Sequence, residues 1–335
     1  MQYNPKSETK QIYLGIEVLR MILSFLIVFV HCFKKKYAKS KLLIIPFYCL
    51  IFYVPTFFII SFYFSYKAFS SRNIIKIKER FLRILIPYII WPIIFWLRFE
   101  IMIYLKGIKD ENKFKNLYYQ MLIGDGFHGV FWFQFNLIMF SLLFTIIIFL
   151  FKKKNLFIIQ ILGILMLIFN FGGYINVFKK FKHPVNHSIK PIPSTLIYSI
   201  IGFFLGKLII LDKLKKHRLK TIIIFLPTIY IIRIYPDLFI IINNFKIIII
   251  IYVIINLFFF FAILPFDKIN NKMIVIIIKQ ITSYTGGVYY IHPEIRYIVK
   301  KKTFIGCMKN YLICYSICFI GSKLLKNYKL KYLFI

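Results

Sequence analysis

Apolar segments of about twenty residues recur along the whole chain, separated by shorter polar and basic stretches. Each is a candidate membrane span, because a helix needs about twenty apolar residues to cross the hydrocarbon core of a bilayer. We place ten spans, at Ile12–Phe33, Leu42–Tyr66, Ile84–Leu105, Val130–Phe151, Leu156–Tyr174, Ser194–Leu211, Thr221–Tyr235, Ile247–Leu264, Val275–Val299 and Thr303–Ser322. Two prolines and an Asn-Asn pair interrupt the stretch between 221 and 264, so nine or eleven spans also fit. The pattern predicts an all-α integral membrane protein, a bundle of about ten transmembrane helices.

The stretches between the spans contain no soluble appendage, and only residues 323–335 follow the last span. We therefore expect a single membrane-embedded domain over residues 1–335, with its spans within 12–322 and no additional soluble domain. Ten spans place both termini on the same side of the membrane. Basic residues are slightly more numerous in the loops that share a side with the termini, which favours a cytoplasmic location for both ends in a multi-pass cell-membrane protein.

The composition supports the membrane assignment and changes the meaning of the charge. Of the 335 residues, 60% are hydrophobic and 20% aromatic, far more than in a soluble domain of this size. The net charge of +35 would suggest a nucleic-acid partner in a soluble protein. Here the basic residues flank apolar segments, where they contact lipid headgroups and set the topology. We expect membrane lipid, and no nucleic acid, as a partner.

Neither the cysteines nor the histidines form a metal-binding pattern. Five cysteines lie within or beside apolar segments without a Cys-x-x-Cys spacing, which predicts buried packing residues: Cys32, Cys49, Cys307, Cys314 and Cys318. His183 and His187 have the i,i+4 spacing of a zinc-binding pair, but Pro184 disrupts the helix that such a pair requires. We therefore expect no metal site.

The first span contains charged and titratable residues that a lipid-facing helix excludes. Arg20 and His31 lie eleven positions apart, which places them on one helix face about 16 Å apart, and Glu17 is close to the same stripe. A charge inside the bilayer costs roughly 2.5–3.5 kcal/mol, so an Arg retained there usually has a partner or a function. Two interpretations are open for each residue. Arg20 binds a substrate or forms a structural pair with Glu17, and His31 is catalytic or only bonds a neighbouring helix.

Three further segments carry polar residues at helix ends. Basic residues at helical spacing precede Pro87 and can hold a phosphate group or serve as a snorkelling membrane anchor: Lys76, Arg80 and Arg83. His128 and Trp132 lie at the mouth of the fourth span, where an interfacial aromatic belt is the alternative. His292 follows Gly286 and Gly287, which allow a helix or ligand to approach closely.

These segments resemble, in order, the patterns of the acyltransferase-3 family of multi-span bacterial membrane O-acyltransferases. The first is an Arg followed after ten residues by a His, here Arg20 and His31. The second is R-x-x-R-I-x-x-P, here Arg80 to Pro87, and the third is a late G-x-Y-x-x-H-P signature, here Gly287 to Pro293. The stretch from His128 to Phe133 is a looser fourth match. One departure is Ser61-Phe62-Tyr63, where the family usually has Ser-Gly-Phe at the end of the second span.

The resemblance implies transfer of an acyl group, commonly acetyl, from cytoplasmic acyl-coenzyme A to a carbohydrate hydroxyl at the cell envelope. The acceptor would be a capsule, an exopolysaccharide, a lipopolysaccharide or a wall polymer. The alternative from another functional class is a transporter or flippase of an envelope polysaccharide precursor. Such proteins tend to show related halves with broken helices, which this chain lacks.

The proposed reaction assigns a role to each polar segment. A sugar hydroxyl is a poor nucleophile until it loses its proton, and a neutral imidazole suits that task near pH 7. We therefore expect His31 to be a buried general base, with Arg20 orienting the donor and Glu17 offsetting its charge. The phosphates of acyl-CoA are assigned to the basic residues Lys76, Arg80 and Arg83. The acceptor is assigned to the residues at helix mouths, His128, Trp132 and His292.

Overall fold

A computed structural model of the protein describes residues 5–33, 41–106, 131–151, 155–171, 192–207, 246–264, 269, 271–298, 303–326 and 328–334. These residues form α-helices, and no strand occurs among them. The helices are α1 (Pro5–Cys32), α2 (Lys41–Ser70), α3 (Ile74–Lys106), α4 (Trp132–Leu150), α5 (Asn155–Phe171), α6 (Ile192–Lys207), α7 (Lys246–Ile263), α8 (Lys272–Ser283), α9 (Thr285–Ile298) and α10 (Phe304–Leu324), followed by a 3-10 helix at Lys329–Leu333. The prediction of an all-α protein is confirmed.

Several of these helices can span a bilayer. Four described helices are long and apolar enough: Leu14–Cys32, Ile74–Met102, Trp132–Leu150 and Phe304–Leu324. Shorter apolar helices lie at Asn155–Ile168, Ile192–Lys207 and Ile250–Ala262. Repeated apolar helices of this kind are typical of a multi-pass membrane protein. The predicted span Thr221–Tyr235 lies outside the described residues, and each of the other nine overlaps a described helix.

One predicted span is wrong as a single helix. The stretch Val275–Val299 forms two helices, α8 and α9, separated at Tyr284. Around this point the hydroxyls of Thr282, Ser283 and Thr285 donate to backbone carbonyls three residues earlier, at 3.1, 2.7 and 2.9 Å. Such bonds compete with the helical ladder, and the two glycines that follow are poor helix formers. The amide of Tyr284 bonds the carbonyl three residues earlier, which tightens the last turn of α8.

By its internal contacts the chain divides into two compact units. Unit 1 comprises Met1–Phe64 and Ile201–Cys318, and unit 2 comprises Ser65–Ile200 and Phe319–Ile335. The helices α2, α6 and α10 each contribute residues to both units. Segments that are far apart in sequence therefore fold together within each unit.

In unit 1, α1 packs against α7, α8 and α9 and buries large apolar side chains such as Phe29. The helices α2 and α6 approach closely at Gly202 of α6, where an added Cβ would lie 2.8 Å from the Cα of Ile59 in α2. Because backbone atoms cannot move aside as the end of a side chain can, glycine is required at this crossing. The ring of Tyr63 in α2 packs edge-on against Phe258 in α7, with centroids 4.9 Å apart.

In unit 2, the C-terminal segment is anchored on α3, which also packs against α4. The indole nitrogen of Trp91 donates to the carbonyl of Leu333 at 3.0 Å, and its ring meets Phe334 edge-on at 5.8 Å. Gly321 makes room for this segment, since a Cβ there would lie 2.6 Å from a ring carbon of Phe334. Leu333 is 5% exposed, so the end of this segment is a packed part of unit 2.

A tight turn joins α2 to α3 and sets the start of the basic segment. Arg72 has a φ of 51°, in the left-handed region, and its amide donates to the carbonyl of Phe69 at 3.0 Å. The amide of Asn73 donates to the carbonyl of Ala68 at 3.2 Å, which completes a Schellman-type helix end. The side chain of Asn73 then caps α3 by accepting from the amide of Lys76 at 3.0 Å.

Candidate functional site

An ion pair on α1 is the first part of the site. The Arg20 Nη1 lies 2.9 Å from the Glu17 Oε2 and 3.2 Å from the Oε1, so the two residues pair as their spacing predicts. The Arg20 and Glu17 side chains are 28% and 19% exposed. A half-buried charge pair of this kind is much less screened than a surface pair, so breaking it leaves a poorly solvated charge.

The second partner of Arg20 lies at the break between α8 and α9. Its Nη2 donates to the Thr285 Oγ1 at 3.2 Å, and that hydroxyl donates in turn to the carbonyl of Thr282 at 2.9 Å. The helix break therefore supplies the hydroxyl that Arg20 contacts.

A pair of imidazoles lies at the other end of the same helix contact. His31, in the last turn of α1, and His292 of α9 have ring centroids 5.1 Å apart. His31 is exposed, so the expectation that it is buried is wrong, and the buried imidazole is that of His292, which is 1% exposed. The next two residues, Cys32 and Phe33, are buried, so the exposure is particular to the position of His31 and is not shared by the whole end of α1.

The hydrogen bond of His292 defines its neutral tautomer. Its Nδ1 lies 2.7 Å from the carbonyl oxygen of Tyr289. Because a carbonyl oxygen can only accept, the Nδ1 carries the proton and donates it to this bond. The Nε2 of the neutral ring then holds the lone pair, and the ring orientation is set by the backbone of α9.

The two polar pairs lie along one contact between helices. From Arg20 to His31 along α1, the partners on α9 advance from Thr285 to His292, so α1 and α9 run in the same direction. Ser24 lies between them on the α1 stripe and shares a 3.0 Å hydrogen bond with the hydroxyl of Tyr311 in α10. At about 100° per residue, the four polar residues of α1 fall within about 60° on one face, Glu17, Arg20, Ser24 and His31.

The basic residues of α3 form a separate group within unit 2. The Arg80 Nε donates to the Ser141 Oγ of α4 at 3.2 Å, and its guanidinium lies 5.8 Å from the centroid of the Phe69 ring. Arg83 is 58% exposed, and its Nη2 is 3.8 Å from the Oε2 of Glu79. Lys76 is also exposed, in the first turn of α3. Arg80 is thus held in place, whereas Arg83 and Lys76 are accessible to a ligand.

A family model described as an acyltransferase domain matches residues 13–331. The chain belongs to the acyltransferase-3 family. The match covers both polar groups described above, on α1 and α9 and on α3. No curated protein and no solved structure matches the chain. Membership identifies the protein as a membrane acyltransferase, and the resemblance inferred from the motifs is confirmed.

The other predicted site residues of this acyltransferase fall in different places. Trp132 is the first residue of α4, half-buried beside Phe133 in unit 2. His128, His183 and His187 lie outside the described residues. The departure from the family pattern at Phe62 places a fully buried ring in α2.

The cysteine prediction holds where the structure tests it. Four of the described cysteines are buried and form no disulfide: Cys32, Cys307, Cys314 and Cys318. The Asn310 Nδ2 donates to the sulfur of Cys32 at 3.2 Å, next to the imidazole pair in sequence. The side chain of Cys49 is outside the described set.

Sequence reasoning missed several polar neighbours of the acyltransferase site. Ser24 continues the helical stripe of Arg20 at i,i+4, a signal that was present in the sequence. Its partner Tyr311 and the partner of Arg20, Thr285, have no local signal, because only the packing of α1 against α9 and α10 brings them near. The same is true of Ser141, which holds Arg80.

Proposed function

We propose that this acyltransferase moves an acyl group, in the simplest case acetyl, from cytoplasmic acyl-CoA to a hydroxyl of a cell-envelope or secreted carbohydrate. In this proposal His31 is the general base. The observation that carries it is the exposed imidazole of His31 beside the buried imidazole of His292, at 5.1 Å between centroids, on the helix that also carries the Arg20–Glu17 pair. An accessible base next to a fixed one suits proton transfer from an incoming hydroxyl.

The chemical step is a direct acyl transfer. The hydroxyl oxygen attacks the thioester carbonyl carbon while His31 takes the hydroxyl proton. The carbon–sulfur bond breaks, and the thiolate of coenzyme A leaves and receives the proton from His31. The products are a carbohydrate ester and coenzyme A, so the base is regenerated without a cofactor.

We assign two roles to His292: it supports the general base His31, and it borders the acceptor. Its Nδ1–H bond to the Tyr289 carbonyl fixes the orientation of the ring, and in its neutral form this ring can face a protonated His31 without charge repulsion. Because His292 is buried, it is unsuited to meet a bulky carbohydrate directly. We therefore propose that it orients His31 and borders the acceptor, which Trp132 and His128 would help to bind.

We propose that Arg20 orients the acyl donor and does not only form a structural ion pair with Glu17. A guanidinium has five N–H donors. In the described residues the contacts of Arg20 use the two donors on Nη1 and one of the two on Nη2. The remaining N–H groups can bind a carbonyl or phosphate oxygen of acyl-CoA. Pairing with Glu17 holds the guanidinium in place and offsets the free-energy cost of burying its charge.

The phosphates of the donor are assigned to the basic segment of α3, Lys76, Arg80 and Arg83. Exposed cations attract an anion, and a guanidinium can bind phosphate through two parallel hydrogen bonds. Arg83 suits this role because its ion pair with Glu79 is long and exposed, and therefore weak. The proposal further places both termini in the cytoplasm, in a bundle of about ten spans.

The decisive test is acyl transfer by the purified protein in lipid nanodiscs. We expect release of coenzyme A thiol from acetyl-CoA that depends on an added envelope carbohydrate, followed with a thiol reagent. Mass spectrometry of envelope glycans from cells with and without the gene should show one added acyl group per modified repeat. Movement of a labelled precursor across the bilayer, without coenzyme A release, would contradict the proposal and support a flippase.

A further inference from the structure

The C-terminal 3-10 helix Lys329–Leu333 holds a second set of side chains against the basic segment of α3. Its position is fixed by the Trp91 hydrogen bond to the Leu333 carbonyl and by the ring of Phe334 against Gly321. Both anchors lie directly after Tyr332, at Leu333 and Phe334. They hold the end of the segment against unit 2, which places Lys331 and Tyr332 beside α3.

Tyr332 is the residue that joins the two segments. The Arg83 guanidinium lies 5.7 Å from the centroid of its ring, and the Lys331 ammonium lies 5.7 Å from the same centroid. Cation–π contacts of this length are attractive but weak at solvent-accessible sites. One aromatic ring thus holds an arginine of α3 and a lysine of the C-terminal segment.

Positive charge is in excess around the ring of Tyr332. Among the described residues, the ion pair found here joins Arg83 to Glu79 across 3.8 Å, with the two side chains 58% and 50% exposed. Such a pair contributes little and leaves the guanidinium open to a stronger partner. Two cations near one ring repel each other, and an anion bound close to the ring reduces this repulsion.

We propose that Arg83 and Lys331, both held by the ring of Tyr332, bind one phosphate group of the acyl-CoA donor. The C-terminal segment then completes the donor site. This inference rests on the proposed function, because it takes the donor to be acyl-CoA. The arginine can donate two parallel hydrogen bonds to phosphate oxygens, and the lysine adds a compact positive charge. This combination suits a phosphate monoester or diphosphate.

The first test compares two lysine variants in the acyl-transfer assay. Lys331→Gln is expected to raise the apparent KM for acetyl-CoA roughly two- to fivefold, with kcat at saturating donor retained. Lys326→Gln removes the same charge from an exposed residue earlier in the tail and is the matched control. An unchanged KM in Lys331→Gln, or an equal rise in both variants, overturns the inference.

The second test concerns the ring. Tyr332→Phe keeps the ring face and should keep the KM, whereas Tyr332→Leu should raise it as Lys331→Gln does. Thermal unfolding of each variant shows whether the C-terminal segment still packs. A raised KM in Tyr332→Phe would show that the hydroxyl, rather than the ring face, carries the effect and would contradict the proposed arrangement.

Direct binding of coenzyme A separates this inference from the proposed function and from a lipid ligand. Calorimetry on the full-length protein in neutral phosphatidylcholine nanodiscs should show weaker coenzyme A binding for Lys331→Gln than for the unmodified chain. Equal binding overturns this inference and leaves the proposed function intact. If the unmodified chain neither binds coenzyme A nor turns over acetyl-CoA, both this inference and the proposed function are overturned. An effect of the substitution that appears only in nanodiscs containing anionic lipid assigns the phosphate to a lipid headgroup and overturns the donor site.

Discussion

The polar group on α1 and α9 and the basic segment of α3 are held in opposite ways. On α1, the charged and hydroxyl side chains bond one another and the backbone, as in the Glu17–Arg20–Thr285 chain at 2.9 to 3.2 Å. On α3, the exposed Arg83 rests on an aromatic ring and a 3.8 Å ion pair. One region fixes the positions of its polar atoms, and the other presents charge to an incoming ligand.

This difference predicts which kinetic parameter each region controls. Groups whose positions are set by contacts with one another act on the chemical step, where small displacements are costly. Exposed cations act on the capture of an anion, and salt screens them over about 8–10 Å. Substitutions on α1 should therefore lower kcat, and substitutions at the exposed positions of α3 should raise KM.

The largest effect is expected at His31. His31→Ala should lower acyl transfer by at least about a hundredfold, because general base catalysis typically contributes 10²–10⁴-fold. The exposed side chain should leave expression and thermal unfolding unchanged. Ile22→Ala, at another exposed position of α1, is the control and should remain active. Full activity of His31→Ala, measured as coenzyme A release, would contradict the role of this residue.

Arg20 is expected to have the next largest effect, and its two roles can be separated. Arg20→Gln should lower the rate at least about tenfold and also destabilise the protein, because Glu17 is left as an unpaired half-buried charge. The double variant Glu17→Gln with Arg20→Gln removes that charge and should recover thermal stability. Donor orientation by Arg20 requires that the double variant stay slow, and a recovered rate would show that the pair is structural.

The long helices could be predicted from the sequence, whereas the break at Tyr284 could not. Apolar length alone identifies a span, and nine predicted spans overlap described helices. The break depends on hydroxyls that bond back to the backbone, and these residues are also tolerated inside apolar helices. Because the stretch is hydrophobic on both sides of Tyr284, its sequence does not indicate the helix break that gives Arg20 its hydroxyl partner.

The candidate site shows the same limit. The Glu17–Arg20 pair follows from i,i+3 spacing on one helix and was predictable. The bond from Arg20 to Thr285 joins residues 265 positions apart, and that from Ser24 to Tyr311 joins residues 287 apart. Helix periodicity states which face a residue occupies and leaves open which helix covers that face, so these partners required the packed structure.

Helix packing offers a further contrast, between Gly202 in unit 1 and Gly163 in unit 2. Gly202→Ala should destabilise the protein by about 1–3 kcal/mol, because its Cβ would overlap the backbone at Ile59. At Gly163 an added Cβ would lie 3.4 Å from the side chain of Ile200, an ordinary contact, so Gly163→Ala should be tolerated. Thermal unfolding in detergent checks both variants. Equal stability would show that α2 and α6 can separate at Gly202 without loss.

The smallest effect is expected at Arg83, where the contrast between the two regions is tested most directly. Arg83→Ala should raise the apparent KM for acetyl-CoA by roughly two- to fivefold, leave kcat near its original value and weaken the salt dependence of KM. Lys78→Ala removes an exposed charge from the same helix, off the face that carries Arg80 and Arg83, and should change KM less. Initial rates at several donor and salt concentrations measure both parameters. A loss confined to kcat at saturating donor would show that Arg83 acts on the chemical step, and the division of roles between α1 and α3 would then be wrong.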